Sequence, residues 1–294
     1  MSLPSEAPAP VELVVAEVRE HDGLVHTTAT FTSPHAVHLG DRSGPGAVHR
    51  IEPAGGCDRI VVLMAAWNEH DPKARVAIAE ILARRHGIGS WILVNPFYGA
   101  RRRGSGQPIA TVSDFFVMGA AAVAEGRALL ATIRAAGHCP GVSGYSMGGN
   151  VAALIGATTP FPVAVAPLAA SYSPAPVYLD GVLRGGIAWE ALGGEAAAAG
   201  RLRELMLQAS VLRLEPSPHT ATAVMVAARS DGYVPVDATR ALHRHWSGSE
   251  LRVVPGGHAT LVWFHKVLLA EAIAEAFRRT FGTRGCAIGR DRQR

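Results

Sequence analysis

A chain of 294 residues, 48% hydrophobic and 18% charged, carries enough apolar material for a sizeable core, which excludes a disordered or solvating polymer. Its formal charge of +4 comes from scattered arginines rather than one block, so composition gives no support to a nucleic-acid partner. Gly, Pro or charge interrupts every apolar run before it reaches the length of a membrane span, and "MSLPSEAPAP" lacks the basic start and apolar centre of a secretory signal. No transmembrane segment and a cytoplasmic location are therefore expected.

In chain order, "LVHTTATF" and "GAVHRIEP" alternate well enough to predict a leading antiparallel pair within residues 1–58. From residue 59 onward, short apolar runs bounded by turn residues alternate with longer helical patterns. That rhythm predicts an α/β fold with a mostly parallel sheet and crossover helices. "RIVVLMAA" reads as a buried strand, followed by a helix with Asp71 as cap and Pro72 at its first position. "SWILVNPF" is the next strand, and a long helix runs from Thr111 to Gly137. "CPGVSGYS" is then a short strand, "MGGNVAALIGATT" a helix, and "FPVAVAPLAAS" a further strand, so that residues 59–171 form the first part of the core.

The rhythm breaks over residues 172–218, a glycine-punctuated, helix-rich stretch that reads as an insertion over one end of the sheet, either a lid or a dimer contact. Residues 219–294 resume the pattern with the strand "ATAVMVAA", a helix from near Pro235, the strand "ELRVVPGG" and one last helix, "ATLVWFHKVLLAEAIAEAFRRTF". The tail "TRGCAIGRDRQR" reads as a frayed, solvated end. Cys57, Cys139 and Cys286 are odd in number and lack metal-ligand spacing, a poor basis for a disulfide framework. Clustered metal ligands and a dinucleotide fingerprint are both missing from the pattern, so no cofactor is expected.

The stretch "GVSGYSMGGN" places Ser146 between Gly144 and Gly148, where a strand hands directly to a helix. Such a turn is sharp and strained, and small neighbours let strand and helix approach; this is the physical content of the G-x-S-x-G nucleophile elbow. A serine hydroxyl needs a base, and the base needs an orienting carboxylate. His258 in "RVVPGGHAT" follows the last strand and is the expected base, whereas His243, His245 and His265 lie on predicted helices and His219 lies at the other end of a strand. Asp231 in "AARSDGYVP" is the expected acid, with Asp237 in reserve. The oxyanion donors are expected to be the backbone N–H of Met147 and one around Ala66 and Trp67.

With these elements in place the chain resembles the alpha/beta-hydrolase superfamily. More narrowly it is similar to the alpha/beta-hydrolase domain-containing protein eighteen group, on "NPFYGARR", "VSDFFVMG", "GYSMGG" and "SYSPAPVYLDGVLRGGIAWEAL". The resemblance implies a serine-hydrolase architecture with its nucleophile at Ser146. It departs at "AAWNEH", where bulky Trp67 and Asn68 stand in place of small residues. The "NPFYG" segment borders the ligand crevice of such a sheet, which makes Tyr98 and Arg101 candidate substrate contacts beside Tyr145. Arg101 either faces an anionic substrate group or pairs structurally with Asp114 or a helix end.

The expected function is hydrolysis of a carboxylic ester, acyl or lipid-like, through an acyl-enzyme. The alternatives are acyl transfer or peptide cleavage on the same triad, or a non-catalytic binding role on this fold. The expected partner is a small ester, with a homodimer as a further possibility.

Overall fold

Runs of β-branched residues build the centre of the fold, and the computed structural model describes them within residues 6–104 and 109–282. The tail read as a solvated end, and Cys286 with it, lie outside the described residues. Strands β1 (Val14–His21), β2 (Leu24–Phe31) and β3 (Gly46–Pro53) open the chain, with the short helix α1 (Ala36–Leu39) before β3. Then β4 (Arg59–Met64), α2 (Lys73–His86), β5 (Ile88–Val94), α3 (Val112–Ala135), β6 (Cys139–Tyr145), α4 (Met147–Thr158) and β7 (Ala164–Leu168) alternate. After a segment of short turns and α5 (Glu195–Leu207), the chain continues through β8 (Val224–Ala228), α6 (Val236–His245), β9 (Glu250–Val254), α7 (His258–Phe264) and α8 (Lys266–Phe281).

The strands form one nine-stranded sheet in the order β1-β2-β3-β5-β4-β6-β7-β8-β9. The first three strands join antiparallel, and every pairing from β5 and β4 onward is parallel. Side chains alternate between the faces. Val62 and Met64 pack with α3 and α4 residues such as Leu129 and Ile155, while Val61 and Leu63 pack with Leu82, Ile273 and Phe277 of α2 and α8. Helix α3 is the one described helix long and apolar enough to cross a membrane, and 67% of its most apolar window is buried inside the protein. A capping box opens it: Thr111 Oγ1 accepts from Asp114 N at 3.1 Å and Asp114 Oδ2 accepts from Thr111 N at 3.1 Å.

Three local expectations change. The leading pair is a trio, because β1 at the sheet edge is exposed along its whole length and carries no burial alternation to read. The strand expected at "SWILVNPF" ends at Val94, since the residue before Pro96 begins the turn in which Tyr98 N donates to Asn95 O at 3.1 Å. The single last helix breaks at His265, whose φ of −118° and ψ of 26° separate α7 from α8. Cys57 is a free thiol that burial pushes up to about 11.

Gly141 marks where α8 seats on β6: a Cβ there would meet Phe277 Cε2 at 2.7 Å, so the ring occupies the side chain's space. The Gly141→Val variant is expected to lose about 1–3 kcal/mol of stability through overpacking, read as a lower urea midpoint.

Candidate active site

The turn from β6 into α4 is built from three close approaches. A Cβ on Gly144 would land on the Gly148 carbonyl, one on Gly148 on the Met64 carbonyl, and one on Gly149 2.7 Å from Leu168 O. Backbone atoms cannot move aside as side chains do, so only glycine fits. Between them Ser146 adopts φ 60° and ψ −120°, a strained conformation for an L-residue. Its N–H donates to Leu168 O at 2.9 Å, and its carbonyl accepts from Gly149 N at 2.9 Å and Asn150 N at 3.1 Å. Met147 N–H, the first of the helix, has no intrahelical acceptor and belongs to the positive end of the α4 dipole.

Asp231 and His258 come together because the β8–β9 pairing continues past the strands: Arg229 N donates to Val254 O at 2.8 Å and Ser230 N to Gly256 O at 3.0 Å. Asp231 Oδ1 accepts from Tyr233 N at 2.9 Å and Val234 N at 2.8 Å, and Oδ2 lies 2.6 Å from His258 Nδ1. The Asp231 side chain is only 2% accessible. A carboxylate can only accept, so Nδ1 carries the proton and Nε2 is left as the acceptor. The imidazole lies between Tyr145, with centroids 4.9 Å apart, and Tyr233, at 5.2 Å, and the Tyr145 hydroxyl donates to the His258 carbonyl. Burial pushes the Tyr145 phenol well above its ordinary range, so it stays a donor.

Ser146, Met147, Tyr145 and His258 all line one cavity of about 690 Å³. Ser146 Oγ makes no hydrogen bond among the described residues, so the hydroxyl and the imidazole share a wall without being locked together. Apo sites often show such looseness. The other histidines weighed from sequence bond elsewhere or stand off the cavity: His219 Nε2 meets Gly156 O at 2.8 Å, His245 Nε2 meets Leu214 O at 2.9 Å, His243 pairs with Ser249, and His265 separates α7 from α8. Asp237 is exposed and pairs with Arg240.

The loop after β4 refines the oxyanion expectation. Ala66 N–H is taken by Glu69 Oε2 at 3.0 Å, so it is not a free donor; Trp67 N–H has no acceptor among the described residues. Glu69 Oε1 in turn accepts from Arg75 Nε at 2.6 Å, and Arg75 Nη1 donates to Leu63 O and Leu93 O, each at 2.7 Å. The Trp67 ring lies tilted against Phe115 at 5.7 Å and meets Tyr178 edge-on at 5.9 Å. Neither Glu69 nor Arg75 was legible as holding this loop: one sits in an anonymous turn and the other on a helix whose pattern reads as ordinary surface.

Tyr98 and Arg101 do not line the cavity. Tyr98 is buried, its hydroxyl accepts from Asn68 N at 3.0 Å, and burial raises it to about 12; it props the β4 loop. Arg101 is 1% exposed and spends its guanidinium on Glu125, with two contacts of 2.7 Å, and on Val94 O at 2.8 Å. The anion-binding expectation for Arg101 therefore gives way to a buried bidentate pair. Its partner is Glu125 rather than Asp114, which bonds Arg42. Among the described residues no group of three or more His, Cys, Asp or Glu side chains is disposed to hold a metal ion.

A family described as alpha/beta hydrolase domain containing 18 matches residues 2–210 and 196–279. Among solved structures, a cold-adapted esterase from an Arctic intertidal metagenomic library superposes with a TM-score of 0.53 at 16% identity, over 87% of this chain and 97% of that one. TT1662 from Thermus thermophilus gives 0.59 at 19% identity, over 81% and 94%. Est1E from Butyrivibrio proteoclasticus bound to ferulic acid gives 0.53 at 14%, over 91% and 100%. At these identities the likeness establishes the alpha/beta-hydrolase fold.

Removing one member of the buried pair strands a charge. The Arg101→Met variant is expected to lose about 3–5 kcal/mol of folding stability, measured by urea denaturation, with Glu125 left unpaired.

Proposed function

The chain belongs to the alpha/beta hydrolase domain containing 18 family, and from that premise we propose that it is a serine hydrolase cleaving carboxylic esters with an apolar acyl or alcohol part. The observation that carries the reading is the 2.6 Å contact between Asp231 and His258 Nδ1, which leaves Nε2 as a base on the wall that Ser146 shares.

In this mechanism Ser146 Oγ attacks the ester carbonyl while His258 Nε2 takes its proton. Asp231 keeps the imidazole in the required tautomer and offsets the positive charge that forms on it. The carbonyl oxygen, now carrying negative charge, points to Met147 N–H at the positive end of α4 and to Trp67 N–H on the loop after β4. Collapse expels the alcohol, which receives the proton from His258. Water then attacks the acyl-enzyme by the same route, His258 again serving first as base and then as acid.

The substrate class follows from the walls. Phe115, Phe116, Met118, Val123, Leu154 and Val262 make the cavity predominantly apolar, and its volume of about 690 Å³ is in the range that accommodates a drug-sized or acyl ligand. The segment between β7 and β8 contributes Val177, Tyr178, Leu183 and Ala209 to it, which supports a lid role.

Labelling by a fluorophosphonate and hydrolysis of a graded series of acyl esters test the reading together. Ser146→Ala is expected to abolish both, and Asp231→Asn to lower kcat by about 10⁴-fold without unfolding the protein, as loss of the correct tautomer does in serine hydrolases. Ester turnover surviving unchanged in Ser146→Ala would end the reading.

A further inference from the structure

Tyr145 is the last residue of β6, and Ser146 follows it directly. Strand alternation sends Cys139 and Tyr145 to one face of the sheet, where they join the buried cluster that holds Leu261 of α7 and Phe277 of α8. The Tyr145 ring is 8% exposed and lies 4.9 Å from the His258 imidazole, and its hydroxyl donates to the His258 carbonyl. One side chain thus meets the base at both ring and backbone, across 113 positions of sequence, while its own backbone carries the nucleophile.

His258 stands where little else holds it. It is the first residue of α7, a helix of seven residues, and it follows Pro255, Gly256 and Gly257, with Gly256 at φ 106°. Glycine makes such a loop costly to order. Ser146 Oγ makes no hydrogen bond among the described residues, so the nucleophile does not fix the imidazole. Asp231 Oδ2 lies 2.6 Å from Nδ1 and fixes that one ring atom, which leaves rotation about the contact open. A ring packed against the imidazole limits that rotation, and a bond to the His258 carbonyl sets how far α7 stands from the elbow. Burial first and the Asp231 carboxylate second disfavour a phenolate at Tyr145, so its hydroxyl stays a donor.

Resting on the hydrolase reading above, we propose that Tyr145 is a positioning residue for the base: its ring orients the His258 imidazole and its hydroxyl ties the His258 backbone to the strand that presents Ser146. The nucleophile and the base are then spaced by a single side chain that belongs to the nucleophile's own neighbour. Acting through His258, Tyr145 leaves ligand binding alone and affects the steps in which the imidazole moves a proton. A direct contact between the hydroxyl and substrate, the other role open to this residue, would require the bond to His258 to open.

Two substitutions separate the parts. Tyr145→Phe removes the hydroxyl bond and keeps the ring, and Tyr145→Leu removes both. With nitrophenyl butanoate, kcat is expected to fall about ten-fold in Tyr145→Phe and about a hundred-fold in Tyr145→Leu while KM stays within about two-fold, because a misplacement of about 1 Å costs rate on that scale. The rate of fluorophosphonate labelling falls in the same proportion. Tyr145→Phe retains the packed ring, and an unchanged urea midpoint in that variant separates its loss of rate from a folding defect. Binding of octanoate to the Ser146→Ala protein is expected to be the same with and without Tyr145→Phe. A further reading needs no turnover: the His258 Nδ1 proton shared with Asp231 gives a low-field proton NMR signal, expected to be sharp in wild type and broadened in Tyr145→Leu although Asp231 is intact. If wild type cleaves no ester but that signal still depends on Tyr145, the hydrolase reading fails and the positioning role stands. If esters are cleaved and both kcat and the signal are unchanged in the two variants, the positioning role is overturned and the hydrolase reading stands. A rise in KM at unchanged kcat, or weaker octanoate binding in Tyr145→Phe, also overturns it and makes Tyr145 a substrate contact.

Discussion

The site depends on a contact that admits no side chain. Gly144, Gly148 and Gly149 bring α4 down onto the carbonyls that end β4, β6 and β7, and the backbone of Ser146 bears the strain that results. If α4 were displaced outward, Ser146 and the first N–H of the helix would leave the edge where β4, β6 and β7 end. Glycine here is a condition of distance between backbones, and the serine's position is its consequence.

Around that contact the protein uses buried ion pairs to hold loops. Arg75 ties the carbonyl ends of β4 and β5 together and, through Glu69, fixes the turn at Ala66. Arg101 does the same between β5 and α3, with Glu125 also accepting from Ser33 Oγ at 2.5 Å. Both cations meet backbone carbonyls that the strands leave open where they end. In each case charge is neutralised locally, and of the two pairs only Glu69 and Arg75 line the cavity.

The aromatic contacts couple the segment between β7 and β8 to the same loop. Trp67, Phe115 and Tyr178 meet at centroid distances of 5.6 to 5.9 Å, one from the β4 loop, one from α3 and one from that segment. A shift of that segment would therefore be felt at Trp67. Trp67 is in this structure the joint between the β4 loop, α3 and that segment, and all three rings line the cavity.

Local patterns made the order of strands and helices, the glycine-framed serine and the carboxyl-edge positions of Asp231 and His258 legible in the sequence. Periodicity and turn residues act over a few neighbours, and the parallel rhythm tells which loops share an edge. Pairing across the fold was decided elsewhere. Arg101 met Glu125 on a helix, Ala66 lost its N–H to Glu69, Tyr98 turned to Asn68, and the Asn95 side-chain oxygen was buried without a partner. A polar side chain takes whichever partner the packed chain brings within about 3 Å, and that choice is made only when segments remote in sequence have already closed around it.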